Sequence, residues 1–208
     1  MRVAWICWVT LVAGSAGWAA VGGDSMGNTD GVLTWRLGDL TPGQSAREVV
    51  LLLFDDSAEK AVKRLESARR QFAELDQPRP ESASLVEAPT VWIKNEATDF
   101  ALEGPCFFRW RMERQSLACK HGGQLSQFTY YLHYRDSAGT HRAGVPQDGD
   151  STPENLRLVE PVHAVSDREA TGVVETADGK LRMRVRAVMG QGSVVGVEFV
   201  VTNRNHEP

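Results

Sequence analysis

The chain has 208 residues, of which 42% are apolar and 24% charged, with a formal net charge of -4. A chain of this size and composition can bury one large core or two small ones, which excludes disorder as a description of the whole. The slightly acidic balance lacks the basic footprint that nucleic-acid binding requires, so nucleic acid is not expected as a partner.

The N-terminus differs from the rest. Arg2 supplies a positive start, Val3 to Ala13 form an apolar run, and Gly14, Ser15, Ala16, Gly17 and Ala19 are small. That is the pattern of a secretory signal peptide over residues 1–19, with cleavage expected after Ala19. An N-terminal membrane anchor is the alternative, but the run falls short of the roughly 20 residues a spanning helix needs. No other segment of the sequence is long and apolar enough to span. The expected location is therefore secreted, periplasmic or otherwise in the cell envelope.

Loss of the leader removes Cys7 and leaves Cys106 and Cys119 in a chain bound for an oxidising compartment. A disulfide between them is expected and would close a short loop, stabilising the fold by about 3 kcal/mol. Two reduced, half-buried thiols are the alternative. The spacing is not Cys-x-x-Cys, so a catalytic pair is not indicated.

Residues 20–31 are rich in Gly, Asp, Ser and Asn and read as a flexible mature N-terminus. From Val32 to Leu37 apolar and mixed positions alternate. Thr41-Pro42-Gly43-Gln44 then forms a turn, because proline presets one central φ and glycine accepts the positive φ of the next. Glu48 to Phe54 is almost continuously apolar, as expected of a strand covered on both faces. These pieces read together as strand, turn and strand.

Asp56-Ser57-Ala58-Glu59 has the spacing of a capping box and predicts a helix start. Ala58, Ala61, Val62, Leu65, Ala68, Phe72 and Leu75 recur at three- and four-residue steps, so one amphipathic helix is expected at about 57–75. A Pro-rich connector follows to residue 84, making 57–84 a helix and connector within a single β-sandwich region over 32–208.

Beyond the connector the patterns are β. Residues 90–96 and 107–114 read as strands, and residues 127–142 as a hairpin with Asp136-Ser137-Ala138-Gly139 at its tip. Residues 143–155 form a polar loop. The last third reads as a meander: Thr171 to Thr176, a turn, then Leu181 to Met189, a Gly190 to Ser193 turn, and Val194 to Thr202. In the middle strand Arg182, Arg184 and Arg186 share one face and Met183, Val185 and Ala187 the other. Such strands must pack on a second sheet, so the expected fold is mainly β: an antiparallel β-sandwich, supersandwich or Ig-like, with one helix. A strong strand so close to the last residue is expected to be either a sheet edge or the prelude to a longer protein.

Candidate chemistry is sparse. His133 and His141 fall on opposite arms of the hairpin, but a metal site needs further ligands, and none is assigned. Asp148 and Asp150 offer oxygen ligands of the kind calcium prefers, without the full spacing of an EF-hand loop. Glu96, Asp99 and Glu113 are carboxylates that could pair, as chance provides among 27 acidic residues. No phosphate loop, nucleophile elbow or dinucleotide fingerprint occurs, so no catalytic residue is assigned. Aromatic residues are dense on the predicted strands. Trp92, Trp110 and Tyr131 are candidate platforms for stacking a sugar ring, although core packing accounts equally well for most of the aromatics.

The stretch "LTWRLGDLTPGQS" with "VVLLLFDDSAEKAVKRLESAR" after it resembles the end of the N-terminal β-supersandwich domain of glucodextranase-like and bacterial glucoamylase-like proteins, over residues 32–75. "VVGVEFVVTNRN" is similar to a strand of many extracellular Ig-like modules. The resemblance implies a carbohydrate-related β-sandwich and transfers no catalytic residue, because in that family the acids lie in a separate helical domain. Two functions are thus expected as alternatives. One is an exported non-catalytic module that binds polysaccharide or another envelope protein; the other is the accessory portion of a glycoside-processing enzyme.

Overall fold

A computed structural model describes residues 8–11, 18–23, 29–34, 36–53, 58–72, 90–104, 107–112, 115–116, 120–121, 124–125, 131–144 and 156–205. In chain order the elements are β1 (Trp8–Leu11), β2 (Trp18–Gly23), β3 (Thr29–Thr34), β4 (Ser45–Leu53), α1 (Ala58–Phe72), β5 (Thr90–Lys94), β6 (Thr98–Glu103), β7 (Phe107–Met112) and β8 (Gln115–Ser116). Next come β9 (Lys120–His121), β10 (Gln124–Leu125), β11 (Tyr131–Asp136), β12 (Gly139–Gly144), β13 (Leu156–Ser166), β14 (Glu169–Thr176), β15 (Leu181–Met189) and β16 (Val194–Asn203).

The protein is mainly β, and its sheets are antiparallel. A six-stranded sheet runs β1-β4-β16-β15-β14-β13, and a four-stranded sheet runs β5-β6-β7-β8. Val50, Leu52, Val174, Met183, Val185, Ala187, Val195 and Val197 of the large sheet share one core with Val91, Ile93, Phe100, Leu102 and Phe108 of the small one. Two sheets closing on a common apolar layer make the expected sandwich. The hairpin β11–β12 caps this core with buried Ala143 and half-buried Leu132 and Tyr134.

The meander of the last third forms as expected: β14, β15 and β16 pair in sequence with unbroken registers. The last strand is not an edge. β16 lies between β15 and β4, paired from Val194↔Leu53 to Thr202↔Ser45. This also redirects the strand–turn–strand unit expected around Pro42-Gly43. β4 does not pair with the residues before the turn; β3 pairs with β2 instead. The turn aligns β4 with the chain end, where the Gly43 amide donates to the Asn203 carbonyl at 2.8 Å and the Asn203 side chain donates to the Leu40 carbonyl at 2.7 Å. Gly43 has the positive φ of 79° that the sequence demands there. The stretches read as leader and flexible N-terminus contain β1, paired on the outer edge of β4, and most of the β2–β3 hairpin.

β4 is covered on both faces, as its continuous apolar run requires. Val50 and Leu52 enter the sandwich core, while Val49 and Leu51 pack beneath α1 with Ala68, Phe72, Val188 and Val194. The helix is described over Ala58–Phe72, with Ala68 and Phe72 facing the sheet and Arg69 and Arg70 in its last described turn, where cations complement the helix dipole.

Alternation does not announce β6 or β13. In β6, Phe100, Ala101, Leu102 and Glu103 are all buried, so no wet face breaks the run. β13 carries Pro161 and three register shifts against β14, which suit an edge strand and scramble its period of two. The two sheets are clipped at one corner by Asn95. Its amide group donates to the Gly190 and Gly192 carbonyls at 3.0 and 2.7 Å, and its oxygen accepts from the Ala97 and Thr98 amides.

The docking of α1 depends on the absence of a side chain at position 196. A Cβ there would stand 2.8 Å from the Phe72 ring, closer than packed atoms tolerate. Gly196→Ala should therefore destabilise the fold by about 1–3 kcal/mol through overpacking. Adding Phe72→Leu, which shortens the obstructing ring, should recover part of that loss. Chemical denaturation of the single and double variants measures both; strict additivity of the two costs would contradict the contact.

Candidate functional site

The face of the large sheet turned away from the core carries a lattice of charges. Strand alternation sends Arg182, Arg184 and Arg186 of β15 to that face, and the registers set their neighbours. Arg182 lies between Glu175 and Thr202, Arg184 between Val173 and Val200, and Arg186 between Thr171 and Glu198. Glu175 is held from both sides, accepting from Arg157 of β13 and from Arg182 at 2.9 and 3.1 Å. Glu169 accepts from Arg186 Nε at 2.7 Å, and Glu198 accepts from Arg47 Nε and lies 3.9 Å from Arg186 Nη1.

All three glutamates are buried, and the pairing explains how. A carboxylate without water needs ion pairs or hydrogen bonds, and the forked guanidinium supplies both while its stem covers the strand beneath. The Arg157 and Arg182 guanidinium groups hold the Glu175 carboxyl below the usual carboxylate range against the opposing effect of burial. The row through Arg184 differs in that its cross-strand neighbours are valines; among the described residues the buried Arg184 Nε and the buried Glu198 Oε2 both lack a hydrogen-bond partner.

A second cluster fastens the β11–β12 hairpin to the β14–β15 turn. The Tyr134 hydroxyl donates to Asp178 Oδ2 at 2.7 Å, and its ring stacks on His141 at a centroid distance of 4.9 Å. Asp136 pairs with His141 Nε2 at 2.8 Å and with the Lys180 ammonium; Lys180 also stands 3.9 Å from Asp178. Thr176 Oγ1 donates to the other Asp178 oxygen at 2.6 Å. Hydrogen bonds from Lys180 and His141 push the Asp136 carboxyl well below its ordinary range. Asp178 also lies low, because hydrogen bonds from Thr176 and Tyr134 outweigh its burial. Burial, followed by the bond to Asp178, pushes the Tyr134 phenol up to about 12. Each of these shifts favours the protonation state that keeps hairpin and turn together. The cluster is a tie between elements.

The candidates named from sequence are dispersed. Trp92 is half-buried on β5 between core residues Val91 and Ile93, so it belongs to the outer face of the small sheet, opposite Ala101. Trp110 stands opposite Phe100 in the β6–β7 ladder and Tyr131 opposite Gly144 in the hairpin; their side chains lie outside the described residues. Cys106, Cys119, Glu113, Asp148 and Asp150 also lie outside them. Asp99 pairs in register with Lys94 and Arg111, while Glu96 is exposed in the preceding turn. His133 faces Arg142 and His141 faces Tyr134, so adjacent rungs send the two histidines to opposite faces of the hairpin. Among the described residues no group of three or more His, Cys, Asp or Glu is placed to hold a metal, and no helix is long and apolar enough to cross a membrane.

Sequence reasoning finds the arginine face but not the glutamates that answer it, because Glu169, Glu175 and Glu198 are assigned to their arginines only by strand order and register. The same holds for the Tyr134–Asp178 bond, which joins residues 44 apart in the chain. No protein-family model matches the chain, and neither curated proteins nor solved structures show a significant similarity to it.

The tie has a pH signature. The depressed Asp136 and Asp178 contribute stability that is complete above the ordinary carboxylate pKa and lost as pH falls through their lowered values. The raised Tyr134 contributes stability complete below the ordinary phenol value of 10.0 and lost as pH rises through about 12. Phenolate absorbance at about pH 11 should show one of the three tyrosines still largely protonated. Asp178→Asn should lower it only part of the way, because the burial that raises it most remains; simultaneous titration of all three in the native protein would contradict the tie.

Proposed function

We propose that the chain is an exported, non-catalytic β-sandwich module of the secreted or periplasmic space that binds polysaccharide. The observation that carries the reading is Trp92. A half-buried indole stands on the outer face of the small sheet, with Lys94 two residues along the strand and Asp99 opposite Lys94. An aromatic ring beside hydrogen-bonding side chains suits a pyranose, whose apolar face stacks while its hydroxyls are bonded.

Further support comes from how the ionisable groups are used. Those whose protonation the fold perturbs, Tyr134, Asp136, Glu175 and Asp178, each bond across elements to other side chains of the same chain. That is the arrangement of structural ion pairs. The leader-like N-terminus supports export, and in an oxidising compartment Cys106 and Cys119 are paired in this reading. The succession of β4 and α1 along the chain also suits the accessory portion of a glycoside-processing enzyme, whose resemblance to residues 32–75 rests on the same strand and helix.

Affinity electrophoresis through neutral polysaccharides tests the proposal. The native protein should be retarded by at least one of dextran, xylan or β-glucan. Trp92→Ala should weaken that retardation by about fivefold, the worth of roughly 1 kcal/mol of stacking. Equal mobility of the native protein in every gel would overturn the reading.

A further inference from the structure

The two ends of the large sheet differ. At one end β13 carries Pro161 and three register shifts, devices that discourage a further strand from adding to a sheet. At the other end β1 pairs antiparallel with β4, from Trp8↔Leu53 to Leu11↔Val50, and lies against α1. Its residues, Trp8-Val9-Thr10-Leu11, carry no charge and fall within the segment read as leader. Cleavage after Ala19 removes them. β4 is then the outermost described strand of the sheet, running from Ser45 to Leu53 in unbroken register with β16. Its stretch Val49–Leu53 has no proline, no charge and no shift of register. A regular apolar edge of this kind presents a row of unpaired N–H and C=O groups and is a template for another strand.

We propose that the vacated edge of β4 is where a second copy of the processed chain joins, strand to strand, across a two-fold axis. The inference rests on the export half of the reading above, since it needs the leader to leave. Two-fold symmetry perpendicular to the sheet pairs identical strands antiparallel, the sense in which β1 sits on β4. An axis at Leu51 sets Leu51 against its own counterpart, Val50 against Leu52 and Val49 against Leu53, so apolar residues meet only apolar ones. The layers match as well. Val50 and Leu52 belong to the sandwich core, and Val49 and Leu51 to the layer beneath α1, so each layer continues into the same layer of the second copy. β13 offers no such match, because its proline and bulges interrupt the edge. The leader thereby gains a second role: until it is removed, β1 occupies the place of the second copy and keeps the chains apart.

Sedimentation of three forms tests the proposal: the chain recovered after export and processing, the full chain kept from export, and the full chain carrying Thr10→Pro. Proline at position 10 removes an amide from β1 opposite Leu51 and leaves the processed sequence untouched, so folding of the rest is not at stake. The processed chain should sediment at twice the chain mass and the native full chain at the single mass. Thr10→Pro should restore pairing, with a dissociation constant about tenfold or more below that of the native full chain. Hydrogen exchange locates the contact: the β4 amides that face away from β16 should exchange more slowly in the dimer than in the same chain diluted to the monomer. Mass spectrometry of the exported chain keeps the two readings apart. A retained leader overturns export, and a chain begun at Ala20 then takes the place of the processed one in the same measurements. A processed chain that stays single, equal dimerisation of all three forms, or a dimer whose outward β4 amides exchange as fast as in the monomer would overturn the pairing and leave export standing.

Discussion

The pairing of β4 with β16 is the constraint on which the rest of the structure depends. It joins Ser45–Leu53 to Val194–Asn203, segments far apart in the chain, and places β16 in the interior of the large sheet. Loop-closure entropy opposes so distant a contact, and the opposition is met by burial on both sides of the ladder. Val50, Leu52, Val195 and Val197 enter the sandwich core on one face, and Leu51 and Val194 pack under α1 on the other. Gly196 is the point where helix and strand come closest, and it sits within this ladder opposite Leu51.

The same ladder divides the outer face of the sheet in two. Toward Leu53 the face is apolar and roofed by α1; toward Ser45 it carries the arginine and glutamate lattice. The transition falls on the row Val49–Glu198–Arg186, where the helix-packed residues end and the ion pairs begin. A row of arginines that would repel one another if left alone is held in place by buried acids from β14 and β16, each tied across strands. Two buried atoms of this lattice, Arg184 Nε and Glu198 Oε2, have no hydrogen-bond partner among the described residues.

Much of this architecture was legible in the sequence, for identifiable reasons. Leu181 to Met189 alternates because it has one wet and one dry face, so β15 and the turns on either side of it announce themselves. The apolar run of β4 correctly signals cover on both faces, and the three- and four-residue spacing of Ala68 and Phe72 correctly signals a helix. Pairing partners were not legible. Pro42-Gly43 is a genuine turn, but its local chemistry cannot say that Ser45 of β4 will meet Thr202, 157 residues away. β6 and β13 were hidden for opposite reasons: one is buried on all sides, the other is broken by proline and bulges.

The candidate sites follow the same division. Trp92 was visible as an aromatic on a strand, and the arginines as one face of β15, because both follow from residue type and period. Their surroundings depend on register, and one rung decides whether an arginine meets a glutamate, as Arg182 does, or a valine, as Arg184 does. Native-state hydrogen exchange tests the central claim most directly. If β4 and β16 form the heart of one cooperative sheet, the amides of Val49 to Leu52 should exchange only on global unfolding, together with those of Val195 to Val201. Rapid exchange in β4 while β14 to β16 stay protected would contradict the account, leaving the last three strands as a meander that folds without it.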